Sequence, residues 1–156
     1  LFFKYARSDN ELERCRKYKK KWGGTFCLKG IMSKEDAKRA IDIGADAIMI
    51  SNHGGRQLDG AASPFDQLQE IVDYVSGKIE LICDGGIRRG THMLKALSMG
   101  ADACSGGRLY LYALAAGGQK GVEKSIENLK NELERDMKLM GVTKISDLNR
   151  KKLRFI

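Results

Sequence analysis

The sequence predicts an α/β fold of four consecutive strand–helix units, and three observations carry that prediction. Displacing the chain against itself by 56 residues brings Cys27 onto Cys83, Gly30 onto Gly86, Ile31 onto Ile87 and Ala40 onto Ala96, and lays Gly44-Ala45-Asp46-Ala47 on Gly100-Ala101-Asp102-Ala103. A repeat of this kind is one supersecondary unit used again. The strand candidates are short and nearly all apolar, as strands buried on both faces of a parallel sheet are. The first two are followed by apolar residues at helical spacing behind a serine cap. Parallel strands with helical crossovers build either a doubly wound sheet or a β/α barrel.

The elements follow in order. Residues 1–22 form a basic, helical lead-in. Thr25–Leu28 reads as a strand, and Ser33-Lys34-Glu35-Asp36 opens a helix with a serine cap and acids in the first turn, where the helix dipole favours them. Ala37, Ala40 and Ile41 recur on one face, and Gly44 stops the helix. Ala47–Ile50 is the next strand. Ser63-Pro64 opens a second helix, with proline at its first position and Leu68, Ile71, Val72 and Val75 on one face. The second copy gives strand Ile79–Cys83, helix Thr91–Met99, strand Ala103–Ser105 and a helix from about Tyr110. The four units occupy residues 23–118. Residues 119–156 add C-terminal helices, first an amphipathic one over 119–140 (Val122, Ile126, Leu129, Leu133, Met137, Met140), then a closing segment Val142–Leu153.

Composition excludes several classes. With 156 residues there is room for one domain, and 42% hydrophobic with 31% charged content is that of a globular chain. No stretch approaches the roughly 18 apolar residues of a membrane span. The net charge of +8 sits at the ends: Leu1–Trp22 holds eight basic and three acidic residues, Arg150–Ile156 four basic and none acidic, leaving 16 basic and 17 acidic between. Lysines packed as in KYKKKW form a solvated helix face or an arm for polyanions. Cys15, Cys27, Cys83 and Cys104 have neither C-x-x-C nor Cys/His ligand spacing, so no metal site and no disulfide framework is expected, and reduced thiols suit the cytoplasm. The chain starts at Leu1 without a signal-peptide pattern, and the missing initiator Met suggests a part of something longer.

In parallel α/β folds ligands sit at the carboxyl ends of strands. Here the strands end in Leu28-Lys29-Gly30, Ser51-Asn52-His53-Gly54-Gly55-Arg56, Cys83-Asp84-Gly85-Gly86-Ile87-Arg88-Arg89-Gly90 and Ser105-Gly106-Gly107-Arg108. Singly, each has a plain structural explanation: Lys29 can snorkel, Asp84 can bond its own turn, His53 can sit satisfied in a loop. Four together at one rim point to a site. Gly85-Gly86 and Gly106-Gly107 allow close backbone approach, each precedes a helix start, and Arg88 and Arg108 add charged donors, which suits a phosphate. Neither G-x-G-x-x-G nor G-x-x-x-x-G-K-[ST] is present, so dinucleotide and triphosphate loops lack support. Asp84 and His53 can form an oriented base, and Arg56 can hold a carboxylate bidentately. His92, at a helix start, reads as an exposed surface residue.

With those residues in view the sequence resembles the FMN-dependent 2-hydroxy acid dehydrogenase/oxidase family of (β/α)8 barrels, which includes L-lactate dehydrogenase, glycolate oxidase and mandelate dehydrogenase. The likeness is carried by SNHGGRQLDG at 51–60, with LKGI at 28–31, DGGIRRG at 84–90 and GGR at 106–108, and LYLYALAAGGQKGV inclines it toward the bacterial respiratory L-lactate dehydrogenases. The resemblance implies the last four βα units, the C-terminal half, of such a barrel, with residues 1–156 a partial domain. It implies His53 as catalytic base, Arg56 as carboxylate clamp, Asp84 as partner of the histidine, and Lys29 beside the flavin, stabilising its anionic reduced form. Ser51, Gly85, Gly86, Ile87, Arg88, Gly107 and Arg108 would join Lys29 and Asp84 in holding FMN.

L-Lactate would reduce FMN and leave as pyruvate, by hydride transfer or after proton abstraction, and a quinone, a cytochrome or oxygen would reoxidise the flavin. Glycolate- and mandelate-type substrates are the alternatives. The family also implies a homo-oligomer, a tetramer, in the cytoplasm, and the basic ends allow a peripheral contact with the inner face of the membrane; no nucleic-acid partner is expected. One departure is Ala103-Cys104-Ser105-Gly106, where the family usually has bulky aliphatics before its last Gly-Arg. Another is that four units are missing, so these residues alone are expected to be inactive. A half-barrel that binds FMN or phosphate without turnover is the competing reading, and a polyanion or membrane-surface binder using KYKKKW and RKKLR is the third.

Overall fold

The computed structural model describes residues 9–154; the first eight residues of the basic lead-in and the last two of the chain lie outside the described residues. Helix α1 (Asp9–Trp22) leads into strand β1 (Cys27–Ile31), followed by α2 (Lys34–Asp42), β2 (Ala47–Ile50), α3 (Pro64–Val75), β3 (Glu80–Asp84), α4 (Gly90–Met99), β4 (Ala103–Ser105) and α5 (Arg108–Leu139). Short 3-10 turns cover His53–Gly55, Ile145–Asp147 and Arg150–Lys152. Among the described residues no helix is long and apolar enough to cross a membrane.

The four strands are parallel and pair in chain order, β1-β2-β3-β4. A doubly wound sheet reverses its strand order at a switch point, and this one does not, so its connectivity is that of consecutive units of a β/α barrel. Strand residues alternate between faces. Leu28, Ile48, Ile50, Leu81 and Cys83 join Cys15 of α1, Ala37 and Ala40 of α2, Leu68, Ile71 and Val75 of α3 and Ala96 and Met99 of α4 in one core. Lys29, Met49, Ile82 and Asp84 therefore belong to the face turned away from the helices. In a barrel that face is the interior.

The helix signals act as expected. Ser33 accepts from the Asp36 amide and Ser63 from that of Asp66, each capping its helix, and Pro64 takes the first helical position of α3. Strand β1 differs: it runs to Ile31, because Lys29 and Gly30 continue the ladder through a bulge at Gly30 (φ +93°). Only glycine adopts that conformation cheaply within a strand. Helix α5 begins at Arg108 and breaks at Gly117-Gly118, the latter left-handed at φ +56°, so the amphipathic stretch from 119 is its second limb. Leu129, Leu133 and Met137 are buried as their spacing predicts, Leu133 and Met137 in a second core with Leu94, Val142 and Leu148, whereas Ile126 is 52% exposed because it precedes the stretch of α5 that α4 covers.

Candidate active site

At the ends of β1, β2 and β3 one polar network joins residues far apart in sequence. The Lys29 Nζ donates to Ser51 Oγ at 2.8 Å and to Asp84 Oδ2, while Ser51 Oγ donates to Asp84 Oδ2 at 2.5 Å. Ser51 Oγ also accepts the His53 backbone N–H at 3.2 Å, so the hydroxyl's one proton and both lone pairs are used. Burial works to raise the Asp84 carboxyl, but hydrogen bonds from Lys29, Ser51 and Ser105 and the Lys29 charge outweigh it and hold it below the ordinary carboxylate range. Ser105 is a strand-end residue that motif reasoning passed over, having only its position beside glycine to mark it.

His53 is carried by a turn of unusual backbone. His53, Gly54 and Gly55 are all left-handed, at φ +57°, +68° and +75°. For a non-glycine residue this costs on the order of 1–3 kcal/mol, and such strain concentrates at functional sites. The turn is held from two sides. Asn52 Oδ1 accepts from the Gly54 N–H at 3.0 Å, and Arg108 Nη2 donates to the Gly54 carbonyl at 2.6 Å. The imidazole lies over Gly30, where an added Cβ would stand 2.9 Å from His53 Cε1. Burial first, then the Lys29 charge, push the imidazole pKa below its ordinary value, and Asp84 works in the opposite direction.

Beside this network is a cavity of about 470 Å³ lined by Lys29, His53, Arg56, Asp84, the Gly85–Arg88 loop and Gly106–Arg108. Every residue expected at the site except Ser51, which is 1% exposed beneath it, therefore borders one space. Ile87 lines the cavity while also belonging to the core.

The sequence offers two helix starts to an anion, and the structure leaves one. The N-terminus of α4 is already taken: Glu132 of α5 accepts the Gly90 N–H and the Arg89 Nε, each at 2.7 Å. Gly90 is required there, since a Cβ would fall 2.4 Å from the Leu133 nitrogen. The start of α5, behind Gly107, has no side-chain cap. His92 is also more than a surface residue, as its Nδ1 braces the loop by accepting the Arg88 N–H at 3.2 Å in one tautomer or donating to the Gly86 carbonyl at 3.0 Å in the other.

The donor set fits FMN. Arg56, Arg88, Arg108 and Lys29 face the cavity against the single carboxylate of Asp84. Gly86 and Gly107 have no atom within 4 Å of where a Cβ would be, so their backbone is open to a bound group. That suits a phosphate, a flavin that becomes anionic on reduction and a carboxylate substrate.

Comparison with known proteins agrees with this chemistry. Residues 2–155 match the FMN-dependent dehydrogenase family. The chain is 52% identical over 122 residues to an L-lactate oxidase of Nostoc sp., covering 78% of this chain and 33% of that protein. To an L-lactate dehydrogenase of Actinobacillus pleuropneumoniae it is 47% identical over 129 residues, 83% of this chain and 34% of that one. It superposes on a crystal structure of mandelate oxidase with 3,3-difluoro-2-hydroxy-3-phenylpropionic acid at a TM-score of 0.86 and 45% identity, over 89% of this chain and 42% of that chain. The chain thus spans about a third of the length of the curated relatives it matches.

Proposed function

The chain belongs to the FMN-dependent dehydrogenase family, and on that premise we propose that it takes part in oxidising a small L-2-hydroxy acid, foremost L-lactate to pyruvate. The observation that supports this best is the convergence of His53, Arg56 and the Lys29–Ser51–Asp84 network on one cavity. Lys29, Asp84, the Gly85–Arg88 loop and Gly107-Arg108 are assigned to FMN, which when bound supplies the two-electron acceptor, and Ser51, buried with its hydroxyl fully bonded, is assigned to holding Lys29 and Asp84 in place.

The remaining work falls to the chain's own groups. Arg56 holds the substrate carboxylate bidentately and so orients the α-carbon. His53, kept neutral by burial and by Lys29, takes the hydroxyl proton. Asp84, ionised well below neutrality, then stabilises the imidazolium that forms. The substrate gives up two electrons and two protons in all: the hydroxyl proton goes to His53, and the two electrons with the other proton would go to the flavin. Relatives named as oxidase and as dehydrogenase both match, at 52% and 47% identity, so the acceptor that completes the cycle is assigned only to the class of oxygen, quinone or cytochrome.

One feature favours a second reading for these residues by themselves. Strands β1 and β4 are the edges of an open sheet, so these residues by themselves should pair with further strands, and the cations around the cavity suit binding of FMN or phosphate without turnover. A peripheral membrane contact is assigned to the basic residues at the end where strands begin, where Lys19 reaches Asp46 and Arg150 reaches the Met99 carbonyl. The test uses protein expressed from the whole reading frame and loaded with FMN. L-Lactate should bleach the flavin absorbance, and His53→Gln should abolish bleaching with FMN retained. Failure of the intact protein to bind FMN overturns the proposal.

A further inference from the structure

The His53 turn depends on a neighbour that lies outside the cavity. Asn52 does not line the space shared by Lys29, His53 and Arg56. Its side-chain amide is nevertheless used at both ends: Oδ1 accepts the Gly54 N–H at 3.0 Å, and Nδ2 donates to the Ala62 carbonyl at 3.1 Å. The first bond closes the left-handed turn immediately after His53. The second ties that turn to the far end of the loop carrying Arg56, just before the cap of α3 at Ser63. A side chain offering an acceptor and a donor from one rigid plane is needed for this, and asparagine is the short residue that has both.

We propose that Asn52 is a positioning residue for the base, its amide holding His53 over Gly30 and fixing the distance between His53 and Arg56. This rests on the reading of His53 as the base. The strain of a left-handed histidine has to be over-determined by its surroundings, and the bonds at Gly54 supply that constraint. Without Asn52 the residue can relax toward an ordinary backbone conformation. The imidazole then leaves its place against Lys29 and Gly30 and enters solvent.

The experiment compares Asn52→Ala and Asn52→Asp with the parent FMN-loaded enzyme, and with His53→Gln as reference. Turnover of L-lactate should fall about 10- to 100-fold in Asn52→Ala, as expected of a displaced catalytic group, with FMN affinity little changed. Asn52→Asp keeps the acceptor for Gly54 and loses the donor to Ala62, so it should fall between. Two readouts are independent of turnover: the Gly54 amide should exchange faster, and the His53 ring, followed by NMR, should titrate at higher pH in Asn52→Ala. The sign follows because burial and the Lys29 repulsion now outweigh the opposing Asp84 charge and depress it, and all three are lost when the ring enters solvent. The acid limb of kcat/KM should move up with the ring. Parent-like turnover and ring titration in both Asn52 variants would overturn the proposal while leaving the base assignment intact. Full turnover in His53→Gln would overturn the base assignment itself.

Discussion

The two ends of the sheet treat the internal repeat in opposite ways. Where strands begin, both copies do the same work: Asp46 Oδ2 accepts the Phe26 N–H at 2.8 Å, and Asp102 Oδ2 accepts the Leu81 N–H at 2.8 Å. Their own amides return bonds to the Phe26 and Leu81 carbonyls at 2.9 and 2.8 Å. Gly44 and Gly100, both left-handed, follow the ends of α2 and α4 in the same way. Where strands finish, the same alignment sets Leu28 against Asp84, Lys29 against Gly85, Ser51 against Gly107 and His53 against Leu109. A structural job can be done twice in one sheet by the same residue type, here with the bonded strand residue one place earlier in the second copy. The proposed reaction needs one base, one clamp and one charge pair, which accounts for the copies diverging at the end assigned to it.

Substitutions at matched places test this division. Asp84→Ala should have the largest effect, because it leaves Lys29, whose side chain is 15% exposed, without its carboxylate. Removing one partner of a buried pair costs about 3 kcal/mol or more, and turnover should be lost with it. Asp102→Ala leaves the Leu81 N–H unsatisfied and should cost about 1–3 kcal/mol in urea unfolding, with kcat unchanged. Loss of turnover in a stable Asp102→Ala protein would break the division.

Glycines give a second matched pair with a smaller expected effect. Gly30 (φ +93°) and Gly100 (φ +106°) would each put a Cβ too close to a neighbour, 2.9 Å from His53 Cε1 in one case and 2.8 Å from Val72 Cγ1 in the other. Alanine at either should cost on the order of 1–2 kcal/mol from the left-handed backbone alone. Only Gly30→Ala should also lower kcat, by displacing the imidazole. Equal kcat losses in the two variants would show that stability, and not the position of His53, governs turnover.

Most of the fold was legible because the apolar period and the caps at Ser33 and Ser63 are local signals. Strands β2 and β4 have the bounds their sequence predicts. Strand β1 was misplaced because Lys29-Gly30 reads locally as a turn, and only pairing with β2 makes it a bulge. The site was legible as a set of strand-end residues, but not in its wiring. Spacing alone cannot reveal that Asp84 is bonded by Lys29, Ser51 and Ser105, that Glu132 of the last helix closes the α4 N-terminus, or that His92 braces the Arg88 amide. Each is a contact between units at least 20 residues apart or a side-chain direction within a loop, and neither leaves a periodic trace.

The smallest expected effect belongs to a polar residue that serves neither end. Ser98 of α4 is 2% exposed, and its hydroxyl is the one buried side-chain group without a partner among the described residues. A buried hydroxyl that bonds nothing forfeits its hydration without compensation. Ser98→Ala removes that penalty, keeps the packing volume nearly constant and improves helix propensity by a few tenths of a kcal/mol. It should therefore be neutral or stabilise the protein by up to about 1 kcal/mol, seen as a higher midpoint in urea, with turnover and FMN affinity unchanged. Destabilisation by Ser98→Ala would mean that this hydroxyl has work in the helix layer after all, and that the chain's polar residues do not divide between its two ends.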